Sequence, residues 1–265
     1  ELPNKLIVLP SLFGGGKSHS LAVLYHVLSV VREAKSPEEA RAIISELDGT
    51  IASFIHKYWN ELKSMGIKVV VVDCGSRELA PVPEDGLSVK TLWGYIAQQV
   101  GRYSAIARYD GNVAPPREAL KEVLDNCGAV VLLDEIARYY SRTRELDRGV
   151  INDFLMNLSE VLTEEEVRGC VVVLTLPYDV ERGVVEEAHA GAVRPEILKK
   201  ILDRVGVRNT IVPVAPADLS SILRRRIFEE DEETLREYGR RLADRIYERA
   251  SEVARRVIER RGGRV

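Results

Sequence analysis

The sequence predicts an α/β protein of three layers, with helices on both faces of a five-stranded parallel sheet. Two patterns and one spacing predict it. Apolar, largely β-branched runs at residues 6–9, 67–73, 129–135, 169–177 and 209–214 read as strands, and they show little of the polar alternation of a sheet with one wet face. The stretches between them carry helical periodicity, and strands separated by helices build βαβ units. A glycine cluster follows the first run directly and opens a helix, and ligands of such sheets collect at the carboxyl ends of the strands.

The first strand, its loop and its helix form one unit, KLIVLP followed by SLFGGGKSHS. Gly14, Gly15 and Gly16 let the backbone curl so that successive N–H groups point inward, and they leave room for phosphates to approach. The helix that begins at Lys17, with Leu21, Leu24, Leu28 and Val31 on one face, adds partial positive charge at its N-terminus. In a phosphate-binding loop (P-loop) Lys17 reaches the β- and γ-phosphates and the Ser18 hydroxyl ligates Mg²⁺. The candidate nucleotide-binding residues are Phe13, Gly14, Gly15, Gly16, Lys17, Ser18 and His19. One position departs from the pattern G-x-x-x-x-G-K-[ST]: Ser11 stands where the first glycine belongs. The plain alternative is a glycine-rich turn that happens to carry a lysine.

Ser36-Pro37-Glu38-Glu39 has the residues of a helix start, with serine as N-cap, proline at the first helical position and glutamate at the third. Helical pattern runs on to about residue 63, with a break near Gly49. The second strand, 67–73, is almost unbroken in β-branched residues and reads as buried on both faces. Residues 77–90 read as loop, Thr91 opens a short helix that stops at Gly101, and Pro115-Pro116 starts another. After the third strand comes an Arg-rich stretch at 138–148. Tyr139 and Tyr140 beside it give it the makeup of a nucleic-acid surface, but Glu145 and Asp147 interrupt it, and a solvated loop is the reading preferred. A helix at 150–162, the fourth strand, a mixed segment at 178–194, a helix from Pro195 and the fifth strand follow. The division expected is a core at 1–216 and a C-terminal helical segment at 217–265, a partial lid whose last helix carries an apolar stripe.

Asp134 and Glu135 end the third strand. In a P-loop arrangement an aspartate there holds Mg²⁺, and the neighbouring glutamate can take a proton from an attacking water. Thr175, near the end of the fourth strand, is placed to bond the γ-phosphate or that water, unless it is there for β-propensity alone. The expected catalytic residues are thus Glu135, Lys17 and Thr175, and the expected metal ligands are Ser18 and Asp134.

SLFGGGKSHSLAVLYH, TLWGYIAQQVG, VVLLDEIARYY, VVVLTLP and ILRRRIF occur here in the order in which they occur in a group of archaeal and bacterial P-loop ATPases. The chain resembles that group, the domain-of-unknown-function family 499, which is AAA+-like, from about residue 5 to about residue 240. The resemblance implies a P-loop NTPase core of the AAA+/ASCE type, ATP as the nucleotide, and a module within larger proteins, some of them encoded near DNA-modification or phage-defence genes. By position Lys17 and Ser18 fall on the Walker A motif, Asp134 and Glu135 on Walker B, and Thr175 on the sensor-1 place.

The expected activity is Mg²⁺-dependent ATP hydrolysis coupled to remodelling of a DNA-related or protein partner. The alternatives are a nucleotide-gated switch or assembly module with little turnover, and a kinase acting on a small molecule. The candidate partners are further copies of the chain, and DNA or proteins of DNA modification and defence. Phosphoryl transfer of this kind needs an arginine on the γ-phosphate. Arg194, Arg204, Arg208 and Arg224 to Arg226 are open candidates, with Arg194 and Arg208 carried furthest. His19 and His26 share a helix face too far apart for one metal and read as packed structural side chains; His56 and His189 have no partner in view.

A chain of 265 residues with 45% apolar residues can bury a substantial core, and its net charge of −3 calls for neither nucleic acid nor membrane surface. No apolar run reaches transmembrane length and no signal peptide opens the chain, so a cytoplasmic location without a membrane partner is expected. It begins at Glu1 and leads straight into a strand, as a fragment or processed form does. Cys74, Cys127 and Cys170 are odd in number and far apart in the chain, and read as buried apolar side chains in a reducing compartment.

Overall fold

A computed structural model describes residues 5–11, 16–75, 89–111, 113–142, 148–179, 184–185, 195–205 and 210–213. Four parallel strands form the sheet: β1 (Leu6–Pro10), β2 (Lys68–Asp73), β3 (Ala129–Asp134) and β4 (Cys170–Leu176). Their spatial order is β1-β4-β3-β2, with Leu9 beside Thr175, Leu133 beside Leu174, and Asp73 beside Asp134. A separate antiparallel pair joins β5 (Tyr178–Asp179) to β6 (Val184–Val185).

Alternate residues of a strand point to opposite faces. Leu6, Val8, Val70, Val72, Val131, Leu133, Val172 and Leu174 point to one face. They pack there with buried side chains of α5 (Leu92–Gln99), α6 (Arg117–Leu124), α8 (Arg148–Thr163) and α9 (Pro195–Val205). On the other face Leu9, Leu132 and Val173 meet Leu21 of α1 (Lys17–Glu33), with Leu24 beside it. Behind α1, the helices α2 (Pro37–Ser45), α3 (Gly49–Lys57) and α4 (Trp59–Ser64) close a smaller core of Val31, Ala34, Ala40, Ile44, Ala52, Ile55 and Trp59. Lys63 ties this layer to the end of α1, donating to the carbonyls of Val31, Arg32 and Ala34 at 3.2, 2.6 and 2.7 Å.

The local start signals act as the sequence predicts. Ser36 accepts from the Glu39 N–H at 3.2 Å while Glu39 accepts from the Lys35 N–H, with Pro37 at the first helical position. Thr91 caps α5 by accepting from the Gly94 N–H at 3.1 Å. No described helix is long and apolar enough to cross a membrane.

Four expectations change. The sheet has four strands among the described residues, not five. Of the described residues 210–213, only Thr210 bridges to Val8, with the Ile211 N–H on the Val8 carbonyl at 2.9 Å. Pro213 has no N–H to extend that pairing, and Ile211 and Val212 stay half-exposed. The second strand is not buried on both faces: β2 pairs with β3 alone among the described residues, at the sheet's edge, and Val71 is 47% exposed. The Arg-rich stretch does not begin as a loop. Residues 136–142 form α7 (Ile136–Arg142), which buries Ile136, Ala137 and Tyr140, with the Tyr140 hydroxyl bonded to Asn152. Tyr140 is therefore core and not an exposed stacking surface. His19 and His26 are exposed on α1, not packed; His26 meets only the edge of Tyr25 among the described aromatic rings. The helical segment expected at 217–265 lies outside the described residues, as do Arg194, Arg208, Arg224 to Arg226 and His189, and the side chain of Arg204.

Candidate functional site at the carboxyl ends of the strands

β1 and β4 are neighbours whose onward connections run in opposite directions. The chain leaves β1 for β2 at the far edge, and leaves β4 for Thr210 on the other side of β1. Such a switch point opens a crevice at the carboxyl ends of the two strands.

The pleat places three polar side chains on one face at the carboxyl end of the sheet. Thr175, Asp134 and Asp73 have the same parity as Val173, Leu132 and Val69, so they point to the face covered by α1. Thr175 is buried, and its hydroxyl donates to Asp134 Oδ1 at 2.7 Å. The Glu135 N–H donates to the Thr175 hydroxyl at 3.0 Å and to Asp134 Oδ1 at 2.9 Å. A threonine suited to a strand on propensity alone is thus also the polar link between the ends of β3 and β4.

Glu135 leaves the strand in the left-handed region, φ 54°. A non-glycine residue there costs about 1–3 kcal/mol and persists where its surroundings impose it. Here the imposing contacts are the two bonds to its N–H. Its carboxylate turns toward β2: Oε2 lies 2.9 Å from Arg138 Nη1, and a Cβ added at Gly75 would fall on it. Gly75 in turn donates its N–H to Asp73 Oδ1 at 2.8 Å. Asp73, Gly75 and Arg138 belong to this constellation and were not among the sequence candidates. The one signal for them was that β2, like β3, runs apolar into an aspartate. Cys74, at the same strand end, points into the opposite core; burial first, then the Asp73 and Asp134 charges, pushes its thiol far up, so it stays protonated and inert.

At the first strand the Ser11 N–H continues the ladder to the Leu176 carbonyl at 3.1 Å. Ser11 then receives Lys17: its carbonyl accepts from Lys17 Nζ at 2.7 Å and its hydroxyl lies at 3.4 Å. Lys17 is bonded to Ser11, Ser11 to Leu176, and the next residue back, Thr175, to Asp134, so lysine and aspartate stand at one end of the sheet. Two strand spacings of about 4.8 Å separate β1 from β3, so the gap is about 10 Å. Gly16, φ 76°, is the N-cap of α1 and has no side chain with which to cap the helix; the first turn of α1 also holds no acidic residue. Ser18 and His19 are exposed there. Phe13, Gly14 and Gly15 lie outside the described residues.

No group of three metal-ligating side chains occurs among the described residues. A hydroxyl at Ser18 and a carboxylate at Asp134 are hard oxygen donors of the kind Mg²⁺ takes when phosphate oxygens and water complete its shell. No curated protein and no solved structure matches the chain. Residues 1–211 match the DUF499 N-terminal domain, four-fifths of the length, and the chain belongs to the DUF499 family.

Proposed function

We propose that this chain is a P-loop, AAA+-like ATPase module that binds ATP with Mg²⁺ in the crevice between β1, β4 and β3 and hydrolyses it, coupled to work on a DNA-related or protein partner. The observation that carries the reading is the continuous line of bonds from Lys17 through Ser11 and β4 to Thr175, Asp134 and Glu135, facing the open N-terminus of α1. Lys17 sits at that N-terminus, where its charge and the N–H groups of α1 favour an anion. Its present bond to the Ser11 carbonyl is one that a phosphate oxygen would replace. Ser11 supports this reading despite its place in the motif: its carbonyl is the resting partner of the lysine.

Among the described residues the Asp134 carboxylate accepts from Thr175 and from the Glu135 N–H through Oδ1, so Oδ2 is the oxygen to meet Mg²⁺, with the Ser18 hydroxyl as the second protein ligand. Bound Mg²⁺ would supply charge neutralisation at the phosphates. Thr175 holds Asp134 in place and fixes the N–H of Glu135. Glu135 is the group to accept a proton from the attacking water. To do so its carboxylate leaves Arg138 and Gly75 and swings toward β4. The ion pair is half-exposed, worth about 0–1 kcal/mol, so it biases Glu135 without locking it.

That resting contact favours one second reading, a nucleotide-gated switch whose basal turnover is slow because Glu135 is turned away. ATP binding and phosphate release by the whole chain, with and without DNA and across protein concentration, separate the two. Lys17→Ala is expected to lose binding. Phosphate release at the wild-type rate from Lys17→Ala would end the proposal. Binding with no release under any of these conditions would select the switch.

A further inference from the structure

We propose that Cys127 and Cys170 form a redox-active dithiol, a modification site that hydrogen peroxide converts to an intramolecular disulfide joining the turn before β3 to the first residue of β4. The site lies at the amino ends of these strands, away from the crevice, and does not depend on the ATPase reading.

The chain brings the two sulfurs together through three left-handed residues. Asn126 (φ 51°) and Gly128 (φ 64°) flank Cys127, and Gly169 (φ 65°) precedes Cys170. The Asn126 N–H donates to the Arg168 carbonyl at 2.6 Å and the Ala129 N–H to the Gly169 carbonyl at 3.1 Å, so 126–129 runs alongside 168–170. The approach is close enough that a Cβ at Gly169 would meet Asn126 Cα at 3.2 Å. Cys127 Sγ donates toward the Gly169 carbonyl oxygen at 3.9 Å, the carbonyl that directly precedes Cys170, and the two thiols are close enough to perturb each other.

The two sulfurs are not equivalent. Cys127 keeps 9% of its surface exposed and Cys170 only 2%. A surface cavity of about 390 Å³, lined by Arg102, Asp125 and Val167 among others, lies beside the turn before Cys127, and a second of about 660 Å³, lined by Gly128, Gly169 and Cys170 among others, opens on the other side of the pair. Arg102 donates to the carbonyls of Glu122, Asp125 and Asn126 at 2.7, 2.6 and 3.2 Å, which fixes its charge beside that turn. The neighbouring Cys170 thiol, with smaller help from backbone N–H groups and Arg102, brings Cys127 down to about 7 against the opposing effect of burial. The same proximity, and burial, push Cys170 up. Cys127 is therefore the attacking thiolate and Cys170 the resolving thiol.

The chemistry balances. The Cys127 thiolate attacks one peroxide oxygen, the O–O bond breaks, and hydroxide leaves and takes up the proton Cys127 had lost. The product is a sulfenic acid. Cys170 sulfur then attacks Cys127 sulfur, its proton goes to the departing hydroxyl, and water leaves. Two thiols and one peroxide give one disulfide and two waters, the two electrons passing from the sulfurs to the peroxide.

The test treats the native full chain with hydrogen peroxide, quenches in denaturant with an alkylating reagent, and maps the peptides by mass spectrometry. Alkylatable thiols are expected to fall from three to one, the survivor being the fully buried Cys74, with a 127–170 linked peptide that dithiothreitol reverses. Cys170→Ser is expected to stop at a Cys127 sulfenic acid that dimedone traps, and Cys127→Ser to leave Cys170 reduced. Three free thiols after peroxide treatment of the wild-type chain would overturn the proposal whether or not the variants fold. Oxidation of Cys74 as fast as of Cys127, or a disulfide between two chains, would overturn it equally.

Discussion

β3 and β4 share one apolar ladder but end in opposite chemistry. At the carboxyl ends a hydroxyl and a carboxylate join the strands through Thr175 and Asp134; at the amino ends two thiols, Cys170 and Cys127, stand side by side, with Cys127 Sγ 3.9 Å from the Gly169 carbonyl. The helices explain the difference. The N-terminus of α1 opens beside the carboxyl ends, and its partial positive charge favours anions there. The amino ends are reached from the C-termini of α6 and α8, whose last carbonyls disfavour negative charge. Cations answer those carbonyls: Arg102 caps the end of α6, and Lys5 Nζ bonds the Glu164 carbonyl just past α8 at 2.6 Å. A parallel sheet is thus electrically polarised by its own crossovers: one end favours anions, and the other disfavours them unless cations such as Arg102 and Lys5 answer its carbonyls.

The contrast can be broken at either end or between them. The largest effect is expected from Glu135→Gln, which should lower phosphate release by about 10²–10⁴-fold with ATP binding kept, as removal of a general base does; equilibrium binding beside turnover checks this, and Cys127→Ser should change neither. Leu132→Ala, buried near the middle of β3, is expected to cost about 2–5 kcal/mol in urea unfolding and to weaken both ends together. Thr175→Val leaves Asp134 Oδ1 and the Glu135 N–H each one partner short. It should cost about 1–3 kcal/mol and reduce turnover, while peroxide still links Cys127 to Cys170. Arg102→Ala uncaps the end of α6, with an expected loss of about 1–2 kcal/mol, slower peroxide reaction at Cys127 and unchanged ATP turnover.

Much of the architecture was legible in the chain. The positions of the four parallel strands came within a residue or two because β-branched runs need no partner to be recognised, but the run at 209–214, of the same kind, yields only the Thr210 bridge among its described residues. The caps at Ser36 and Thr91 came from bonds reaching only three residues along the chain. Burial was harder to read. A strand buried on both faces and an edge strand of the same composition look alike, so β2 reads as doubly buried although it lies at the edge of the sheet among the described residues. Tyr140 showed an aromatic in a basic stretch but not which way α7 would face. The expected site residues that are described gather at one end of the sheet; Asp73, Gly75 and Arg138 join them through contacts that cross between β2, β3 and α7.

The sequence alone determined where the four parallel strands and the helices at Lys17, Pro37 and Leu92 begin, that a lysine and a serine would open α1, and that Asp134 and Glu135 would leave an apolar strand together. Those features depend on neighbours within a few residues. The tertiary structure alone decided that β4 lies between β1 and β3, and so that Thr175 reaches Asp134. It also decided that Glu135 rests on Arg138, and that Cys127 meets Cys170 some forty residues away. Strand order and side-chain meetings arise from which apolar faces bury each other, a property of the whole chain that no short stretch of it contains.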